Sequence, residues 1–475
     1  MRMNAPSCPD QGALSLYGAC IADYKGEGTL ELQDGEQINC NFEAGQLESG
    51  RVILLYRTNA AWLFTPVRSF QGVSVDGFRL QASGKFDDIP DLRDDEALEV
   101  DRFAVLDLEG LNVETNSVKF VHTARFGVTN LAFRGTETNG SVLPLALNAD
   151  GDMTRVQVRR LEHYDRTIEH LELFRNIEVT AEIEVTAQLP GDPDSLTELI
   201  EDLCYILSIA SGTKINWVYR DLYDQAGVLI SRTHRSRITK PYCGLAIIDP
   251  RLGVDLKDFV EAAYQTYRTR KAQLLRNLAD GTTFDYLGAA VDAYLNAKAE
   301  GDFLQVRGAK LAVAMEMLKA AFLGWSEIGL SEFIVPPEQF KDMEPNIKNC
   351  VSESIRETIP EAVQRAAVYA NVKGLNRWPF RSVLERVFEH IQFAPAPRDI
   401  TLFVNSRNKL VHMGLFYVES ADEVERKKCQ PSATKVEEFF FLVHFLDRVF
   451  MKLLGFSGRY LDWHKPGNPT VAYLP

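Results

Sequence analysis

The chain changes its hydrophobic period once, and that change bounds the folds open to it. Up to about Leu189 the apolar residues come in short β-branched or aromatic runs, separated by Gly, Asp and Asn clusters. LSLYGACIA, GTLELQ, RVILLYR, GFRLQA, ALEVDRFAVLDL and IEVTAEIEVTAQL read as strands. Several alternate apolar with polar residues, as a sheet with one dry and one wet face requires. The pattern stops at Gly191-Asp192-Pro193-Asp194-Ser195. Beyond it, LTELIEDLCYILSIASG repeats its apolar residues every three or four positions, with Asp194 or Ser195 as the expected helix cap. The fold class predicted is α+β, with an antiparallel β-rich domain over residues 1–190 and helices dominating thereafter.

Residues 191–255 are expected to form a mixed connecting region, a helix followed by a hairpin turning around Asp224–Gly227. Residues 256–475 read as an all-helical bundle, because segment after segment carries an apolar stripe at helical spacing. Val383, Leu384, Val387, Phe388 and Ile391 make one such stripe, and a segment from Glu338 to about Val372 is read as helical too.

A length of 475 residues exceeds one ordinary core. The net charge of −14 excludes a surface that binds nucleic acid everywhere, though not a local basic site. Residues 1–100 hold sixteen acidic and eight basic side chains, and the acidic run Asp94-Asp95-Glu96 reads as a solvated face. Seven scattered cysteines with no CxxC pair indicate reduced thiols, hence a cytoplasmic setting. The N-terminus has no apolar stretch, and the run Phe439 to Phe456 is broken by His444, Asp447, Arg448 and Lys452, so no membrane span is expected. Walker, GxGxxG, HExxH and GxSxG patterns do not occur.

Two places carry chemistry. Residues 214–240 hold six Lys or Arg against Asp221 and Asp224. Arg232, Arg235, Arg237 and Lys240, with Trp217 and Tyr219 nearby, read as an RNA-facing surface, since phosphates favour cations and unpaired bases stack on aromatics. The plainer alternative is a solvated hairpin or a contact with a partner domain. The second place is Arg407-Asn408-Lys409-Leu410-Val411-His412, an Arg-x4-His spacing within an apolar-periodic helix.

A histidine moves protons near neutrality, with an unperturbed pKa of about 6.5. An arginine grips phosphate oxygens in a fork and stabilises charge that grows in the transition state. Cleaving RNA needs little more, because the 2′-hydroxyl already sits beside the phosphate. On spacing alone, a surface arginine and a histidine bonded to a backbone carbonyl are the stronger reading. Asn408 and His412 share a helix face, whereas Arg407 and His412 lie roughly 140° apart. For both to reach one phosphate, Arg407 must lie near the first turn, or two copies of the chain must share the site. The same spacing recurs at Arg459 to His464, in an expected loop where nothing holds its side chains in register.

Arg407-Asn408 followed by His412, in a C-terminal bundle of about five helices, resembles the motif of the HEPN superfamily of ribonucleases: Arg, a polar residue, a short spacer and His. The order of a β-rich region and then helices is similar to the ApeA-like group of bacterial HEPN proteins. LSIASGTKINWVYRDLY and HRSRITKPY look typical of that group's N-terminal region. The resemblance implies a metal-independent endoribonuclease with no cofactor, leaving a 2′,3′-cyclic phosphate and a 5′-hydroxyl. It implies a homodimer with two motifs across one cleft, and a role in abortive infection against phage. There tRNA or other host RNA is cut, and a phage-derived activator is expected. His412 would be the general acid or base, Arg407 the phosphate clamp and Asn408 the orienting group. The alternatives are a non-catalytic sensor that binds RNA or a phage protein, and an antitoxin-like HEPN partner.

Overall fold

The computed structural model describes residues 19–57, 66–83, 104–115, 121–149, 152–174, 177–186, 193–236, 242–277, 281–323, 329–356, 358–422 and 432–472, with Leu14, Trp325 and Val424. Thirteen strands make one sheet. They are β1 (Cys20–Leu32), β2 (Gln37–Leu47), β3 (Val52–Arg57), β4 (Val67–Ser74), β5 (Arg79–Ser83), β6 (Ala104–Leu108), β7 (Gly110–Glu114), β8 (Thr123–Thr129), β9 (Val142–Ala149), β10 (Asp152–Arg160), β11 (Val179–Thr186), β12 (Trp217–Tyr223) and β13 (Leu229–Arg235). Their order is β6-β3-β2-β1-β4-β5-β7-β13-β12-β8-β11-β10-β9, and the described pairings are antiparallel.

The expected alternation is plain in β2, which buries Ile38, Cys40, Phe42 and Ala44 and exposes Gln37, Asn39 and Asn41. Its dry face meets β4, with the Phe42 and Phe70 rings edge to face at 4.9 Å. Large sheets curl, and this one does. Gln46 of β2 donates to the Val218 carbonyl of β12 at 2.8 Å, although the two strands are six places apart in the sheet. At the same seam the buried His234 imidazole bonds Gln46 Oε1 at 2.7 Å and the Tyr24 hydroxyl at 3.0 Å. Burial and the neighbouring Arg232 push the His234 pKa down to about 3.

The region expected to connect two domains is therefore the middle of the sheet. The hairpin does turn at Asp224–Gly227, where Asp224 Oδ1 accepts from Val228 N at 2.8 Å. Its strands pair outward, β13 with β7 and β12 with β8.

The helices are α1 (Tyr164–Phe174), α2 (Pro193–Ser211), α3 (Gly253–Leu274), α4 (Tyr286–Lys298), α5 (Leu304–Leu323), α6 (Pro337–Arg356), α7 (Ala362–Asn371), α8 (Phe380–His390), α9 (Pro397–Met413), the single turn α10 (Tyr417–Ser420) and α11 (Lys435–Leu453). α2 starts at Pro193, so Asp194 lies in its first turn rather than capping it. The segment read as helical from Glu338 to about Val372 forms two helices; α6 runs through Pro345, and Pro360 lies in the break before α7. Among the described residues no helix is long and apolar enough to cross a membrane. Among the described residues, Cys40, Cys243 and Cys350 are free thiols.

Two cores result. Leu30, Phe42, Leu54, Phe70, Leu80 and Val113 belong to the one enclosed by β1–β7. The other is continuous from β8 through α11 to Tyr460, so the C-terminal strands and the helices share one interior.

Candidate active site

The motif helix α9 is held from below. Leu402, Phe403, Ser406 and Leu410 are buried, and the Phe403 ring stacks on Phe445 of α11 at 4.8 Å. α5 comes close at Gly308, where a Cβ would stand 2.9 Å from Phe416 and 3.1 Å from Leu410, so a larger residue would push the end of α9 away. The helix ends at Gly414, whose φ of 68° suits a left-handed C-cap. The three motif residues thus sit on a rigid base rather than in a loop.

Arg407 lies in the C-terminal half of α9, not near its first turn. Its guanidinium pairs with Glu316 of α5 and donates to Asn408 Oδ1 at 2.8 Å. Glu316 is shared, since Lys319 Nζ stands 2.6 Å from its other oxygen. The Phe380 ring of α8 lies under the guanidinium, 4.7 Å from Cζ to centroid. Asn408 and His412 are exposed one turn apart, and His412 has no hydrogen-bond partner among the described residues. The structure brings Arg407 and Asn408 into contact, while His412, one turn beyond Asn408 on the same helix, is hydrogen-bonded to neither. Around His412 the surface is apolar, with Val411, Met413 and Leu415 at 46%, 56% and 36% exposure.

Sequence reasoning missed Glu316, Lys319 and Phe380. Nothing local announces Glu316, which is 91 positions from Arg407. Phe380 had a signal in the run Arg377-Trp378-Pro379-Phe380-Arg381, where two cations bracket two rings.

The basic hairpin differs from expectation. Arg232 grips the buried Asp221 carboxylate through two nitrogens. Arg235 pairs with Glu201 at 2.6 Å and lies 4.1 Å over the Trp217 ring. Trp217 and Tyr219 are buried, so these rings offer no face to a base. Both guanidiniums are spent within the chain because β12 and β13 lie inside the sheet. Arg237 and Lys240 lie outside the described residues.

The second Arg-x4-His copy is held after all. Arg459 begins a short strand, Arg459–Leu461, and bonds Asp255 at 2.6 Å, while Trp463 Nε1 donates to the Ala246 carbonyl at 2.6 Å. Its His464 stacks on His444 at 6.2 Å, and His444 Nδ1 lies 3.2 Å from the buried Asp462 carboxylate. Burial pushes the His444 pKa down to about 4, against the pull of Asp462. Arg459 and His464 fasten the C-terminal segment to the helices. They do not converge on one point.

Compared with known protein families, curated proteins and solved structures, the chain matches none.

Proposed function

We propose that the protein is a metal-independent endoribonuclease whose site is built from Arg407, Asn408 and His412 and completed by a second copy of the chain. The observation that carries this reading is the arrangement at the end of α9. Arg407 is hydrogen-bonded to Asn408, and His412 is exposed one turn on, unpartnered among the described residues, with apolar side chains around it. Exposed apolar residues beside a polar motif suit self-association, and a partner helix supplies the convergence that one helix denies.

In that arrangement one His412 imidazole takes the proton of the 2′-hydroxyl as its oxygen attacks phosphorus. A protonated His412 from the other copy gives a proton to the departing 5′-oxygen. Arg407 holds the non-bridging oxygens, and Asn408 fixes the guanidinium. The products are a 2′,3′-cyclic phosphate and a 5′-hydroxyl. From the resemblance the reading extends to a cytoplasmic role in phage defence, with tRNA among the RNAs cut and a phage-derived activator.

A second reading, a non-catalytic sensor that binds RNA or protein, is favoured by the pairing of Arg407 with Glu316 of its own chain. One experiment separates the two. The purified chain is incubated with tRNA and with unstructured RNA, with and without EDTA, and its mass is measured by light scattering. The expected outcome is a dimer that cuts with or without EDTA, and loss of cutting by about a hundredfold or more in His412→Ala and Arg407→Ala. A His412→Ala variant as fast as the parent would remove the enzyme reading.

A further inference from the structure

The run Arg377-Trp378-Pro379-Phe380-Arg381 brackets two aromatic rings with two guanidiniums, and the fold lays it against the motif helix. Pro379 precedes α8 and Phe380 is that helix's first residue. The Phe380 ring has two cations on it, the Arg407 guanidinium at 4.7 Å and Lys319 Nζ at 5.1 Å from its centroid. Arg386 lies 5.7 Å from the centre of the Trp378 ring. Arg381 donates to Thr401 Oγ1 of α9 at 2.9 Å, which ties the run to the motif helix at a second point. Both rings are half-buried and pack partly on the core.

Charge reinforces this placement. Five cations gather here, Lys319, Arg377, Arg381, Arg386 and Arg407, and the carboxylates paired with them are Glu316, Glu332 and Glu385. The local excess is two positive charges on a chain whose net charge is −14. Arg377 and Arg381 are well exposed, and ion pairs at such exposure are worth about 1 kcal/mol or less, so a phosphate can replace the carboxylate cheaply. Rings interleaved with exchangeable cations suit one ligand class, unpaired nucleic acid, whose bases stack and whose phosphates need neutralising. In a duplex the bases are already stacked on each other.

We propose that Trp378 and Phe380, with Arg377, Arg381 and Lys319, form a binding strip for single-stranded RNA leading to the phosphate held by Arg407. The strip rests on the ribonuclease reading for its substrate, but it is tested by binding alone. Affinity for a short, labelled, unstructured RNA is measured by fluorescence anisotropy on full-length His412→Ala, so that no cleavage intervenes. On that background Trp378→Leu weakens binding by about tenfold. Arg377→Gln with Arg381→Gln lowers the slope of log affinity against log salt by about 1.4. The pair of Gln substitutions is at the surface and keeps the thermal midpoint, which guards against misfolding of the Trp378 variant. The matching duplex binds more weakly than the single strand.

If both variants bind single-stranded RNA as the parent does, or if the parent binds none, the strip is overturned. Unchanged binding in both variants beside a cleaving wild type removes the strip and leaves the Arg407–His412 reading standing. Weakened binding in the variants beside a wild type that never cleaves does the reverse.

Discussion

Lys298 and Asp447 are both fully buried, and their ion pair ties three parts of the chain together. Lys298 Nζ, at the end of α4, stands 2.8 Å from Asp447 Oδ1 of α11 and donates to the Leu245 carbonyl at 2.9 Å. The Tyr294 hydroxyl donates to the same carboxylate oxygen. Water screens none of this, so Asp447→Leu strands an ammonium with one carbonyl and one ring for company. Removing one member of a buried pair costs about 3–5 kcal/mol. At roughly 2 °C per kcal/mol for a large folding unit, the thermal midpoint falls by about 6–10 °C. Asp447 Oδ2 has no hydrogen-bond partner among the described residues, so the pair is imperfect as it stands. Replacing all the polar members together, with Lys298→Met, Asp447→Leu and Tyr294→Phe, therefore recovers at least half of the loss, because a packed apolar trio carries no stranded charge. Scanning calorimetry on the single and combined variants measures both quantities. A midpoint shift under about 2 °C for Asp447→Leu, or losses that simply add in the combined variant, would refute the reasoning.

Two further outcomes are expected. Arg232→Gln leaves Asp221 buried without its ion pair and destabilises by about 3 kcal/mol in urea melts. RNA affinity stays unchanged, because that guanidinium already serves the chain; a matching drop in affinity would return the hairpin to the RNA surface. The second concerns pH. His234 and His444 have folded pKa values below the ordinary histidine value, at about 3 and about 4. Below the unfolded value the unfolded chain takes up protons that the native state refuses, so stability falls as pH falls. Their contribution is complete above about pH 6.5 and declines as pH falls, to about pH 4 for His444 and about pH 3 for His234. Urea midpoints at pH 7.5, 6 and 5 should descend in that order, and His234→Gln should flatten the descent; equal midpoints would contradict it.

Much of the architecture was legible because it is local. The period switch near Pro193, the Asp224–Gly227 turn and the stripes of α8 and α9 are all written in short spans. β2, β4 and β7–β10 went unread because their runs mix apolar residues with Gly, Asn, Gln and Arg, which only pairing across the sheet makes strand-like. The motif was legible as spacing, but its electrostatics were not. Glu316 and Lys319 meet Arg407 only through the crossing of α5 and α9, which Gly308 permits. The basic hairpin misled for a related reason: composition reports how many cations a segment holds, not that Asp221 and Glu201 stand opposite them.

The position of β12 and β13 also governs how the chain can be made. Strands β1–β7 and β8–β11 leave the ribosome first, yet each group has an edge that only residues 217–235 can cover. Until that hairpin is synthesised, two open sheet edges wait for a partner, and open edges invite pairing with the wrong chain. A fragment cut at residue 190 would keep every strand that looks like an N-terminal domain and lack the pair that joins them. The sheet is in this sense closed by its last strands, like an arch by its keystone, and an expression fragment meant to isolate it has to run past Arg235.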